Sequence, residues 1–329
     1  MKAATWRIAV SATVLGLAAV PISLAAASST PSLAQVVADV ATSVKITKAP
    51  NVSTSIPPLL SMTSADSSLP GVAKACYPST GASSSNLPAS PATTCAYGST
   101  LGSKTILLTG DSQAGMWLPT FDAMGKAHGW KIVFLALPGC TPWLNTANPP
   151  STIIINTLTV GICNKYNQNV AAWADTNHPS LVVLDGHESR SSNQTTADKS
   201  LISKELLRYS TSKSKLLVLS PIPAYHSANV PYTASDCLSG AVVFTRCQLS
   251  PGTLVSQSLL SAEKADAALH KMSLVVVTPL MCTTTKCTVV VKDTSGAHLV
   301  FYDADHINRY FGQWVASAFY SFFEPVAKL

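Results

Sequence analysis

Leu107-Leu108-Thr109-Gly110-Asp111-Ser112-Gln113 joins an apolar run to a glycine, an acid and a hydroxyl. The run it closes, residues 105–109, has the composition of a short strand buried on both faces. The residues after it, 113–128, read as a helix. Gly110 allows a tight turn that a side chain would obstruct, and Asp and Ser are favoured helix N-caps. A strand, a sharp turn and a helix make the first half of a βα unit.

The same pattern recurs downstream. Apolar runs at 105–109, 131–137, 181–184, 215–220 and 273–278 alternate with helical stretches at 113–128, 164–176, 196–211 and 254–271, and a helix over 310–323 closes the chain. Five buried strands with helices on both faces predict an α/β fold, a three-layer α/β/α sandwich around a five-stranded parallel sheet. Ligands bind such sheets beyond the carboxyl ends of the strands, at the switch point beside the first strand, which is where Ser112 falls. Phe311, Trp314, Phe319 and Phe322 recur at helical spacing and are expected to bury one face of the last helix. Residues 288–302 break the alternation and predict an extra C-terminal β-hairpin around Asp293-Thr294-Ser295-Gly296, leading to Asp303.

The N-terminus points to export. Lys2 and Arg7 precede an apolar stretch, residues 8–27, that ends in Ala25-Ala26-Ala27 before Ser28, the pattern of a signal peptide cleaved after residue 27. An uncleaved anchor is the rival reading, since about 20 apolar residues can span a bilayer, and Ser32-Leu33-Ala34 offers a second cleavage site. Residues 28–100 are rich in Ser, Thr, Ala and Pro and read as a partly ordered arm, with a short helix at 33–44. Residues 101–329 form the main domain. Losing Lys2 and Arg7 leaves 20 basic against 16 acidic side chains, a balance of +4 that is too slight to imply nucleic acid. A secreted, extracytoplasmic monomer, free or associated with the cell envelope, without metal or cofactor is the resulting expectation.

Eight cysteines behind an export signal favour disulfides over metal. They allow about a hundred connectivities, yet they fall into neighbouring couples, each within or flanking one apparent loop. The expected bridges are Cys76 to Cys95, Cys140 to Cys163, Cys237 to Cys247 and Cys282 to Cys287.

Near the C-terminus stands Tyr302-Asp303-Ala304-Asp305-His306-Ile307-Asn308. A serine hydroxyl is a poor nucleophile unless a base removes its proton, and a histidine base needs an acid to fix its tautomer and stabilise the imidazolium. An aspartate three residues before a histidine, on a turn, can reach Nδ1 and leave Nε2 for the serine. Ser112, His306 and Asp303 therefore read as nucleophile, base and orienting acid. Asp111 is the runner-up acid.

The chain resembles the SGNH (GDSL-like) hydrolase superfamily, and most closely the SGNH domain attached to actinobacterial membrane acyltransferase-3 proteins. The resemblance rests on Gly110-Asp111-Ser112 with Trp117, on Leu137-Pro138-Gly139-Cys140-Thr141-Pro142 with Cys163, and on Cys282-x4-Cys287 leading to Asp303 and His306; Lys45 to Ser53 of the arm is also similar. It implies a flavodoxin-like fold and the same triad, with Asp305 a bystander, a local cap or a surface charge, and Asp111 structural. It further implies an oxyanion hole of the Ser112 N–H, the Gly139 N–H and an asparagine side chain after the third strand. This sequence has Leu184-Asp185-Gly186-His187-Glu188, with Glu188 at the asparagine's offset. An ionised carboxylate cannot donate a hydrogen bond, so His187 or a backbone N–H takes that place, or the donor is missing.

The expected activity is that of a secreted serine esterase or O-acyltransferase acting through an acyl-enzyme on O-acyl esters, acetyl above all, of cell-envelope or extracellular glycans. As a transferase it would take its acyl group from a separate membrane acyltransferase or from a soluble ester. The alternative is a noncatalytic glycan-binding module. His128, His178, His226, His270 and His298 lack an acid at useful spacing and read as surface or capping residues. Trp117 and Trp173 read as core, and Trp143 as a wall of a sugar cleft.

Overall fold

The computed structural model describes residues 30–51, 55–56, 71–78, 85–142, 160–186, 208–209, 212–225, 230–255, 257–270 and 272–329. In chain order its elements are α1 (Leu33–Ser43), β1 (Ser55–Ile56), α2 (Pro91–Thr94), β2 (Ala96–Gly98), β3 (Lys104–Gly110), α3 (Ser112–His128), β4 (Trp130–Ala136) and α4 (Val160–Asn177). There follow β5 (Leu181–Asp185), β6 (Lys215–Leu219), α5 (Ala234–Ser239), α6 (Pro251–Leu254), α7 (Gln257–His270), β7 (Ser273–Val275), β8 (Val290–Lys292), β9 (Ala297–Leu299), α8 (Arg309–Trp314) and α9 (Ala316–Ala327).

The five predicted strands form one parallel sheet in the order β4-β3-β5-β6-β7, and β2 adds a sixth, antiparallel strand on the outer edge of β4. Successive residues of a strand point to opposite faces, and both faces here are apolar. Leu181 and Val183 of β5 join the core on one side, with α3, α9 and α1, while Val182 and Leu184 join the core on the other, with α4 and α7. Because β3 lies between β4 and β5, the chain leaves β3 in one direction along the sheet and later returns to its other side. The carboxyl end of β3 thus opens at the switch point, where a crevice forms.

The hairpin is present as β8 and β9, antiparallel, and β1 pairs in parallel with β9 to give a small second sheet. The segment upstream of residue 101 contributes to the fold as well. Val36 and Val40 of α1 are buried, and that helix packs on β8 and α9. The Lys292 N–H donates to Ser43 Oγ at 2.8 Å, and Gln248 Nε2 donates to the Ile46 carbonyl at 2.6 Å. Residues 1–27, where the signal peptide is expected, lie outside the described residues, as does nearly all of the expected helix at 196–211. Among the described residues no helix is long and apolar enough to cross a membrane.

All four expected cysteine couples are bonded, closing loops whose ends are 19, 23, 10 and 5 positions apart. Two expected helices are interrupted. Val255 takes an extended conformation between α6 and α7. The closing helix is split at Val315, and of its expected apolar face Phe311 and Phe319 are fully buried while Trp314 and Phe322 are only partly so; Phe323, not among the expected residues, is fully buried.

Phe319 is the hub of the resulting aromatic cluster, with its ring centroid 5.0 Å from that of Trp117 and 5.6 Å from that of Phe121. Phe319→Ala leaves a cavity where α9 meets α3, so it is expected to lower stability by about 3–5 kcal/mol, read as an earlier urea midpoint.

Candidate active site

Ser112 is the first residue of α3. Asp111 caps the helix, its Oδ1 accepting the Gln113 N–H at 2.8 Å, and Ser112 is half-buried at the helix N-terminus. Gly110 makes this approach possible. It has φ 148°, a region essentially restricted to glycine, and a Cβ there would lie 1.7 Å from the Asp185 carbonyl oxygen of the neighbouring strand. The Gly110 carbonyl accepts the Leu137 N–H at 3.0 Å, tying the serine turn to the loop after β4.

That loop is a tight turn. The Cys140 N–H donates to the Leu137 carbonyl at 2.9 Å, with Pro138 and Gly139 between them and Gly139 at φ 76°. Proline followed by a positive-φ glycine suits a type II turn. The Cys140–Cys163 disulfide and the Asn167 Nδ2 bond to the Thr141 carbonyl at 3.1 Å fasten the turn to α4.

The acid and the histidine come from the far end of the chain. After β9, Phe301 bridges Ile307, and the intervening residues form a hairpin tip. Asp303 Oδ1 accepts the N–H groups of Asp305 at 3.0 Å and His306 at 2.8 Å, which shapes the turn. Asp303 Oδ2 lies 2.9 Å from His306 Nδ1. Two contacts seat the tip on α3: Gln113 Nε2 donates to the Asp305 carbonyl at 2.7 Å, and the Ile307 N–H approaches Met116 Sδ at 3.4 Å. The residue after the serine therefore touches the residue before the histidine. His306 Nε2 is buried without a hydrogen-bond partner, so it is not bonded to the Ser112 hydroxyl here. Such bonds are often long before substrate binds.

Asp305 is not the surface charge its position suggested. It is 7% exposed, and its Oδ1 lies 3.1 Å from His306 Nδ1, so two carboxylates share one ring nitrogen. Burial of the ring opposes its charge, but the hydrogen-bonding and charge interactions of Asp303 and Asp305 outweigh burial and push the imidazole pKa up to about 10. Asp185, at the end of β5, is raised well above the usual carboxylate range by burial and by the nearby Asp111. The positive His306 and the Trp117 indole pull it the other way without prevailing.

Asp303, Asp305 and His306 also gather possible ligand atoms within 4.8 Å of one another. Their mutual contacts at Nδ1 already account for that cluster. Trp117 is fully buried, Trp173 packs against the α4-side core, His128 stacks on Tyr320, and His178 Nδ1 lies 2.9 Å from the Ser212 carbonyl. His298 departs from expectation. It is buried against Trp314 and lies 3.1 Å from Asp293, five positions upstream, because the hairpin turn folds that acid back. Trp143, His187, Glu188 and His226 lie outside the described residues.

Sequence reading missed Tyr77. Its ring lies against Gly115 of α3 and 5.6 Å from the Phe134 ring, and the Asp111 charge adds to burial in raising its pKa. Its one sequence cue is the adjacent Cys76, whose bridge to Cys95 anchors the segment beside β2.

A histidine with a raised folded-state pKa contributes stability that is fully present below its unfolded value of about 6.5 and is lost as pH rises through about 10. The urea midpoint is accordingly expected to fall between neutral pH and about pH 10, and to fall less in His306→Gln, as followed by tryptophan fluorescence.

The chain can now be set beside known proteins. The Salmonella ser. Paratyphi A lipopolysaccharide acetyltransferase periplasmic domain superposes with a TM-score of 0.55 at 11% identity, covering 80% of this chain and 93% of that one. A GDSL-like lipase from Bacteroides thetaiotaomicron matches at 12% identity over 68% of this chain and 88% of its own, with a TM-score of 0.38. A mutant of an acetyl-xylooligosaccharide esterase from Geobacillus Stearmophilus matches at 10% identity over 67% of this chain and 94% of its own, with a TM-score of 0.39. Comparison with curated protein sequences finds no significant match. The family model for the SGNH domain fused to AT3 domains matches residues 75–321, and the chain belongs to that family.

Proposed function

We propose that this chain is an extracytoplasmic serine esterase or O-acyltransferase that works on acyl esters, acetyl esters of glycans above all, with Ser112 as nucleophile, His306 as base and Asp303 as orienting acid. The carrying observation is the contact of Asp303 Oδ2 with His306 Nδ1 at 2.9 Å, on a turn that Gln113 latches to the serine end of α3. Membership of a family whose domain is fused to AT3 supports acyl chemistry and a membrane acyltransferase as partner. Four disulfides support an oxidising compartment.

In the reaction, neutral His306 takes the proton of Ser112 at Nε2 as Oγ attacks the ester carbonyl. The Ser112 and Gly139 N–H groups hold the tetrahedral oxyanion. The C–O bond to the alcohol breaks, and the imidazolium returns its proton to that leaving oxygen. Water then releases the acyl group in an esterase, whereas a sugar hydroxyl accepts it in a transferase, and both use the same triad.

One observation favours the second reading, a glycan-binding module without catalysis: two carboxylates lie at His306 Nδ1, and by raising the imidazole pKa they oppose its release of a proton and its use as a base. Labelling of the folded protein with a fluorophosphonate separates the two. An enzyme is labelled at Ser112 and cleaves p-nitrophenyl acetate at a rate that climbs through alkaline pH, and Ser112→Ala lowers that rate about 10³-fold or more. A folded chain that takes no label at any pH is the binding module. Mass analysis of products with a glycan acceptor present then distinguishes transfer from hydrolysis.

A further inference from the structure

The two carboxylates at His306 are not equivalent. Asp303 Oδ1 is occupied by two backbone N–H groups, and the Asp303 side chain is 40% exposed, so water screens its charge. The Asp305 side chain is 10% exposed, where a charge is screened far less. The Asp305 backbone is fixed on both sides, its N–H bound by Asp303 and its carbonyl by Gln113, and its Oδ1 lies 3.1 Å from His306 Nδ1.

The remaining titratable groups around the ring do not take over this role. Asp185 on β5 is driven toward its neutral form by burial and by Asp111. Tyr302, whose ring lies 5.5 Å from the imidazole, and Tyr77 beyond it both have raised pKa values and are uncharged.

We propose that Asp305 is a second acidic partner of His306, a positioning residue that holds the imidazole from its buried side and shares with Asp303 the stabilisation of the imidazolium formed when Ser112 loses its proton. The catalytic part rests on the triad reading given above. The contact itself does not. Two consequences follow from sharing one nitrogen between two acids. Loss of Asp303 leaves an acid on Nδ1, so its removal is partly compensated. Loss of Asp305 removes the less screened charge, so the ring gives up its proton at lower pH.

The test is a titration of the His306 ring in the full chain by ¹H–¹⁵N NMR, assigned with His306→Gln. Asp305→Asn is expected to lower the His306 titration midpoint by about 1–3 units and to move the alkaline limb of the p-nitrophenyl acetate rate down with it. Asp305→Glu restores part of both shifts, and Asp305→Ser stands in should the asparagine variant fail to fold. Asp303→Asn is expected to keep at least about tenfold more activity than Asp303→Asn combined with Asp305→Asn, roughly what one opposite charge contributes. An unchanged His306 midpoint in Asp305→Asn, or equal rates for the Asp303 single and the double variant, overturns the proposal. If the triad reading fails, wild type neither cleaves ester nor takes the fluorophosphonate, while the ring titration still decides the role of Asp305.

Discussion

The C-terminal segment is held along α3 by two buried hydrogen bonds that each span 192 positions, Gln113 Nε2 to the Asp305 carbonyl and Thr120 Oγ1 to the Gly312 carbonyl. The matching separations mean that α3 and the tail run past each other in a fixed register. Between the two bonds, Ile307 meets Met116. Ser112 sits one residue before the first of these contacts and His306 one residue after its partner. The meeting of hydroxyl and imidazole segments is thus a consequence of how one helix packs. The aromatic cluster of Trp117, Phe121, Phe319 and Phe323 supplies apolar burial behind that register.

The site concentrates acidic groups in little water. Asp111, Asp185 and Asp305 are all nearly inaccessible, and His306 lies among them. Carboxylates this close cannot all remain ionised cheaply. Asp111 accepts the Gln113 N–H at the start of α3, Asp305 contacts His306, and Asp185 is driven toward its neutral form by burial and by the Asp111 charge. A ring stabilised as a cation by two carboxylates suits the proposed triad, in which the imidazole would carry charge once the serine proton is taken. In the fold, the turn of Leu137 to Cys140 and the serine turn are bonded to one another through Gly110, so the two backbone donors proposed for the oxyanion are carried on one rigid edge of the sheet.

Much of this was legible because the signals are local. The five apolar runs match their strands to within a few residues, since a strand buried on both faces needs a continuous apolar stretch. The cysteine couples were legible because each closes a short loop. The misreadings share a cause, a partner distant in sequence. β2 has three residues and is a strand only because β4 offers it an edge. Phe323, rather than Phe322, is fully buried because its ring packs against Phe121 of α3. Asp305 appeared to be a surface charge because nothing near it in sequence reveals that Gln113 draws its backbone into the crevice.

By itself the sequence determined the alternating α/β architecture, the glycine that lets a serine turn pass against the neighbouring strand, and an Asp-x-x-His turn able to hold a ring by Nδ1. Each depends on residues adjacent in the chain or on the chemistry of a single side chain. Only the tertiary structure decided which helix the tail lies on, that a second carboxylate reaches the same ring nitrogen, and that a tyrosine from the arm stands beside the serine helix. Those outcomes follow from burial and long-range hydrogen bonding, which local pattern does not encode because the groups concerned meet only after the chain has folded.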